Sequence, residues 1–203
     1  MESIFNFSAF DILFTLGLLW ALFGLCHSVL ATDNVKAKLQ SALPFLRNRY
    51  RIFYNLFSLA FLSAFLVYSI QLPSQLLFEP SSLTELFGLM FTLYGILIIR
   101  ISLKSYGFNN FVGLDNEIAL QAKSIKLTGL LRYVRHPMYT GIILFFVGLF
   151  FYFPNVASAY NLLFVTLYIL IGIRLEEQKL IKEFGNDYLE YRKKVPMLIP
   201  NLK

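Results

Sequence analysis

Charged and apolar positions in this chain are sorted into long blocks. Residues 12–31 contain no Lys, Arg, Asp or Glu. At about 1.5 Å of helical rise per residue, that stretch spans a hydrocarbon core of about 30 Å. Residues 52–70 form a second such block. A third covers residues 86–99 and extends to about residue 103 if Arg100 snorkels toward the interface. Residues 137–153 and 156–173 follow, separated only by Pro154 and Asn155, which leaves room for nothing but a tight helical hairpin. The blocks predict an all-α bundle of five transmembrane helices, over about residues 12–31, 52–70, 86–103, 137–153 and 156–173. A helical tail follows, and residues 1–203 read as a single domain.

Composition supports a membrane class. Hydrophobic residues make up 57 % of the chain and charged residues 15 %, against roughly 45–50 % and about 25 % in soluble proteins. Mean hydropathy is +0.62. A chain of 203 residues is too small to hide so much apolar surface within itself. A free soluble enzyme, a disordered chain and a collagen are excluded. The single cysteine, Cys26, excludes an internal disulfide and a cysteine-based zinc site.

The net charge of +6 would suggest nucleic acid in a soluble protein, but its distribution points to topology, and no nucleic-acid partner is expected. All 18 Lys and Arg fall between predicted helices one and two, between three and four, or after five. The opposite side carries Glu2, Asp11, Glu79 and Glu85 and has short, plain connections. Positive charge stays cytoplasmic, so the N-terminus is expected outside and the C-terminus inside, as five crossings require. The first basic residue is Lys36, so no signal peptide is expected. The expected location is a bacterial inner (plasma) membrane, with the functional side facing the cytoplasm.

Most of the polar chemistry lies on that basic side. In the loop over residues 104–136, Gly107, Asn109, Asn110 and Gly113 favour sharp turns, and Phe108 and Phe111 are placed to re-enter the membrane surface. The loop ends in Arg135-His136-Pro137-x-Tyr139-x-Gly141. Pro137 suits the first turn of a helix, where its missing N–H costs nothing. The N–H groups of that turn form an anion site beside Arg135 and His136, although basic residues that merely anchor a helix end would read the same. Predicted helices four and five are of nearly equal length, so the end of five returns to the depth where four begins. Arg174, Glu176 and Glu177 lie there, and ionisable groups at such a depth are a site hypothesis by default. An anion-binding helix start beside carboxylates suits a zwitterionic, cationic ligand.

Leu180, Ile181, Phe184, Tyr188 and Tyr191 then recur at helical spacing. Gly185-Asn186 is expected to divide this stretch into two helices, with Asn186 or Asp187 capping the second. It reads either as an interfacial anchor or as a lid over the site. His27 and Ser28 fall in the last turn of the first helix, where His27 serves as a base or simply bonds within the bundle. With two histidines in the chain and no ligand cluster around either, no metal site is expected.

Arg135-His136-Pro137-x-Tyr139-x-Gly141, then Glu176-Glu177, Phe184-Gly185-x-x-Tyr188-x-x-Tyr191 and Val195-Pro196-Met197-Leu198-x-Pro200, resemble the integral-membrane methyltransferases of the isoprenylcysteine carboxyl methyltransferase type. Ile169-Leu170-x-Gly172-Ile173-x-Leu175-Glu176-Glu177, His27-Ser28-x-x-Ala31 and Gly113-Leu114 look, within that superfamily, like the methanethiol S-methyltransferases. The resemblance implies S-adenosylmethionine bound over about residues 128–200. In that picture His136, Pro137, Tyr139, Gly141, Glu176, Glu177, Tyr188 and Tyr191 hold the cofactor, and Arg135, His136 or His27 favours the reactive thiolate. The implied partners are the lipid bilayer and a small lipophilic thiol. Carboxyl methylation of a prenylated cysteine and a non-catalytic membrane accessory role remain open on the sequence.

Overall fold

The structure, a computed structural model, describes residues 8–106 and 127–201. The expected turns at Gly107, Asn109, Asn110 and Gly113, and the re-entry of Phe108 and Phe111, lie outside the described residues. Among the described residues the structure is helical. The helices are α1 (Ala9–Leu30), α2 (Asp33–Ala42), α3 (Tyr50–Gln71), α4 (Ser82–Tyr106), α5 (Pro137–Tyr152), α6 (Val156–Phe184) and α7 (Asn186–Lys194). Four of them, α1, α3, α4 and α6, are long and apolar enough to cross a membrane, while α5 is a shorter apolar helix of 16 residues.

Local sequence accounts for where the helices start and stop. A capping box opens α1: the Ser8 N–H donates to Asp11 Oδ2 at 2.9 Å, and the Asp11 N–H donates to Ser8 Oγ at 3.2 Å. Asn155 and Ser158 form the same device at α6. The expected hairpin between α5 and α6 is therefore real, but the connections at this end are not plain. The Leu77 N–H donates to the Pro154 carbonyl at 2.8 Å, and the Val156 N–H donates to that of Gln75 at 3.0 Å. These bonds tie the α3–α4 linker to the hairpin turn.

The largest departure from expectation is the length of α6. It runs 29 residues, about 44 Å at 1.5 Å per residue, and carries Glu176 and Glu177 in unbroken helix. Leu175 to Leu180 contains no helix breaker, and its Leu, Glu, Gln and Lys are all good helix formers. Gly185, at φ +56°, ends the helix as expected. Gly185 also occupies the cap position of α7, which has no side-chain cap. The expected capping by Asn186 or Asp187 is thus corrected: Asn186 is already the first helical residue.

Within lipid, helices associate through close packing and interhelical hydrogen bonds rather than hydrophobicity. Both are present. A Cβ on Gly95 would lie 2.6 Å from the Gly141 carbonyl oxygen, and one on Gly88 would lie 2.9 Å from that of Gly148. The paired glycines let α4 and α5 touch backbone to backbone. At the bundle centre the Trp20 indole N–H donates to Asn161 Oδ1 at 3.0 Å, and Asn161 Nδ2 donates to Ser69 Oγ at 3.0 Å. That chain joins α1, α6 and α3. The core around it comprises Ile12, Leu16, Phe23, Phe65, Phe146, Val165 and Ile169.

Candidate functional site

The start of α5 is covered by the chain that follows α7. Pro137 is buried in the first turn, behind His136 as cap residue. The Arg135 N–H donates to the Pro196 carbonyl at 2.9 Å, and the His136 N–H donates to that of Met197 at 3.1 Å. Thr140 Oγ1 donates to the Leu198 carbonyl at 2.8 Å. The residues Val195-Pro196-Met197-Leu198, singled out as a motif, are thus a strap across the Arg135-His136-Pro137 corner. The Arg135 and His136 N–H groups thereby serve the strap.

Glu177 is the centre of the charged cluster. The stripe Val165, Ile169, Ile173 and Glu177 repeats every four residues, and all four are buried. Glu177 therefore continues the core face of α6 past its apolar part. Its Oε1 accepts from Arg135 Nε at 2.8 Å and lies 3.2 Å from His136 Nε2, while Oε2 lies 3.4 Å from Arg192 Nε. A carboxylate only accepts, so Nε2 of His136 is the protonated nitrogen in that bond. Glu176, one position earlier, turns outward with its side chain 45 % exposed, and its Oε2 is 3.8 Å from His136 Nδ1.

Arg135 is engaged on more than one side. Besides Glu177, it donates from Nη1 to the Val195 carbonyl at 2.5 Å and to that of Arg192 at 3.1 Å. The guanidinium thereby joins α6, α7 and the strap. Sequence reasoning missed Arg192, which read as one member of a basic run. Its three-residue spacing from the end of the strap carried no signal without the fold.

Tyr188 and Tyr191 are buried against this cluster, with ring centroids 5.8 Å apart. Tyr191 donates its hydroxyl to the Leu131 carbonyl at 2.7 Å. Burial pushes its pKa up to about 12. The Tyr188 hydroxyl is buried beside Glu177, without a hydrogen bond of ordinary length among the described residues. Its pKa is raised by burial first and then by the neighbouring Glu177 charge.

The remaining candidates separate. Tyr139 stacks on His136 at 5.6 Å between centroids and stays with the cluster. Gly141 serves the α4–α5 seam, where an added Cβ would lie 2.8 Å from the Gly95 carbonyl oxygen. His27 is held elsewhere: Nε2 lies 2.6 Å from Tyr54 Oη and Nδ1 lies 3.0 Å from Ser58 Oγ, both on α3. Its ring stacks on Phe23 and meets Tyr168 edge-on. No group of three or more metal-ligating side chains occurs among the described residues.

The sequence pattern of phospholipid methyltransferases matches residues 83–187, more than half of the chain, from α4 into α7. The chain belongs to the phospholipid methyltransferase family. Within that matched segment lie Arg135, His136, Glu176 and Glu177, whereas Tyr188, Tyr191 and the strap lie just beyond it. Methanethiol S-methyltransferase 1 of Bradyrhizobium diazoefficiens is 45 % identical over 74 residues, which cover 35 % of this chain and 24 % of that protein. The methanethiol S-methyltransferase of Pseudomonas deceptionensis is 43 % identical over 77 residues, 36 % of this chain and 28 % of that protein. That of Mycobacterium tuberculosis is 38 % identical over 73 residues, 35 % of this chain and 28 % of that protein. The chain thus matches only about a quarter of the length of these curated relatives. No solved structure matches it. Membership in a methyltransferase family implies a methyl donor and an acceptor.

Proposed function

We propose that this chain is an integral-membrane methyltransferase that uses S-adenosylmethionine to methylate a small lipophilic thiol. The observation that carries the reading is the buried Glu177–Arg135–His136 cluster, with Glu176 and the Tyr188 hydroxyl beside it. Arg135, His136, Glu176 and Glu177 all lie within the family-matched residues 83–187. The thiol as acceptor rests on the likeness to the methanethiol S-methyltransferases.

The residues present fit a zwitterionic, cationic donor. With its Nε2–H spent on Glu177, His136 turns Nδ1 toward Glu176 Oε2, 3.8 Å away. The Glu176 carboxylate beside it, 45 % exposed, can accept from an ammonium or hydroxyl of the donor. Tyr188 adds a hydroxyl that can donate or accept, and Tyr139 adds an aromatic face. In this reading His136, Glu176, Tyr139 and Tyr188 hold the donor. Glu177, Arg135 and Arg192 position them.

When bound, S-adenosylmethionine supplies a sulfonium methyl group to a thiolate, leaving a thioether and a neutral sulfide. The chain's own work is to hold the reactants and to exclude water. The strap and α7 close the polar side of the corner, and the apolar faces of α4 and α5 leave the other side to lipid, from which an apolar thiol enters. The thiol must lose its proton, since the thiolate is the nucleophile. His27, on the α3 side, acts as an interhelical clamp.

The membrane arrangement belongs to the same reading. Five crossings including α5, an outer N-terminus and a cytoplasmic C-terminus put the corner at the cytoplasmic face of a bacterial inner membrane. Calorimetric titration of the detergent-purified protein with S-adenosylmethionine, beside His136→Ala, tests the donor. Micromolar binding that is lost in the variant supports the assignment, and absence of binding to folded protein removes it. Labelled-methyl transfer to methanethiol, and to a prenylated cysteine for comparison, tests the acceptor.

A further inference from the structure

The last turns of α4 carry a second feature, outside the α5–α6 corner. Ile96, Ile99, Leu103 and the aliphatic stems of Arg100 and Lys104 line an open, almost wholly apolar groove of about 450 Å³, with the two charged ends at its rim. Arg100 and Lys104 are four residues apart, so they share one helix face about one turn from each other. Both are exposed, and neither side chain has an ion pair or hydrogen bond among the described residues. Two like charges so placed repel unless an anion lies between them.

The rest of the lining identifies the anion's class. Ile96, Ile99 and Leu103 give the groove an apolar wall, which a small hydrophilic anion would leave wetted and unused. An amphiphile matches both parts: an anionic head at the cations and a hydrocarbon chain along the isoleucines. Arg100 offers a phosphodiester a planar fork of donors, and Lys104 offers it a compact charge. The groove also touches the helix seam, because a Cβ on Gly141 would lie 2.9 Å from Ile99 Cγ1. An occupant therefore bears on the contact that fixes α5.

We propose that this groove holds one anionic phospholipid, its phosphodiester between Arg100 and Lys104 and an acyl chain along Ile96, Ile99 and Leu103. Each cation at a membrane surface contributes about 1 kcal/mol of attraction to anionic lipid, or about fivefold in affinity.

Native mass spectrometry of the detergent-purified chain, titrated with dioleoylphosphatidylglycerol, tests the site. The variant R100Q/K104Q should retain the lipid about 25-fold more weakly, and each single variant about fivefold more weakly. The variant K38Q/K194Q, which removes equal charge elsewhere, should bind as the parent does. The single variants serve if the double variant does not fold. Equal losses in R100Q/K104Q and K38Q/K194Q would overturn the site in favour of general charge attraction. Equal retention of dioleoylphosphatidylcholine, or full displacement by inorganic phosphate, would overturn the anionic lipid as occupant. A lipid-free dimer that R100Q/K104Q abolishes would give the groove to a second copy of the chain.

Discussion

Arg135 and Glu177 form an ion pair at 2.8 Å, with side chains only 9 % and 8 % exposed. They are 42 positions apart in sequence and join the start of α5 to the far end of α6. Removing one partner of a buried pair strands the other, at a cost of about 3–5 kcal/mol. Glu177→Gln keeps the volume and one acceptor, so its cost should fall toward the lower end of that range. We expect a lower thermal midpoint in detergent together with weaker S-adenosylmethionine binding. An unchanged midpoint would show that the pair contributes nothing to holding α5 on α6.

Arg135→Lys separates charge from geometry. Lysine keeps the positive charge but lacks the fork that reaches Glu177 and the Val195 and Arg192 carbonyls together. A hydrogen bond to a charged group contributes about 1.5–3 kcal/mol, so losing one should loosen the strap by about tenfold or more. Trypsin should then cut at Lys193 and Lys194 correspondingly faster, with the helical circular dichroism unchanged. Cleavage at the parental rate would mean that the backbone bonds at Arg135 and His136 hold the strap alone.

The periodic parts of this architecture were legible in the sequence and the convergent parts were not. Long uncharged blocks announced the helices, and Pro154-Asn155 announced the hairpin, because both signals are local. The extent of α6 was misjudged because hydropathy fell at Arg174 while helix propensity did not. The choice between Glu176 and Glu177 was open to a reader who carried the four-residue stripe past Ile173. The contacts of Arg192, of the strap's carbonyls and of the buried Tyr188 hydroxyl depend on chain segments tens of residues apart meeting at one corner. Nothing local encodes that meeting. The pairing of Gly88 and Gly95 with Gly148 and Gly141 was concealed likewise, since each glycine alone reads as a neutral residue within an apolar helix.

Those glycines give a paired comparison. Gly95→Ala would place a methyl 2.6 Å from both the Gly141 carbonyl oxygen and the Phe145 backbone nitrogen, where no side-chain rotation can relieve the clash. The seam must open, at a cost of about 1–3 kcal/mol or more. Gly172→Ala meets nothing within 4 Å and should gain up to about 1 kcal/mol of helix propensity. Thermal unfolding of the two variants in one detergent should therefore move in opposite directions. A shared direction would contradict the backbone contact.

His27→Phe tests the division of labour between the two histidines. Tyr168, which meets the His27 ring, and Glu177 are nine positions apart on α6, about half a turn out of phase at 3.6 residues per turn. His27 and His136 thus address opposite sides of that helix. Loss of the Tyr54 and Ser58 bonds should cost about 1 kcal/mol in total, at about 0.6 kcal/mol for an average interhelical bond. The thermal midpoint should fall while S-adenosylmethionine affinity and methyl transfer per folded molecule hold. A loss of transfer without a loss of stability would restore His27 as a base.

The pH response of the tail follows from its two tyrosines. Tyr191 donates its proton to the Leu131 carbonyl, and burial raises its pKa from 10.0 to about 12; Tyr188 shifts the same way. For an acid whose folded pKa lies above the unfolded value, the folded state binds more protons at intermediate pH. Its stabilising contribution is therefore complete below pH 10 and is lost as pH rises through about 12. Docking of α7 should weaken over that window, read as accelerated cleavage by an alkali-tolerant protease alongside tyrosinate absorbance. In Tyr191→Phe the Leu131 bond is absent at every pH, so its tail should be looser at neutral pH and respond less to alkali. If parent and variant loosen in parallel, the alkaline transition belongs to other groups.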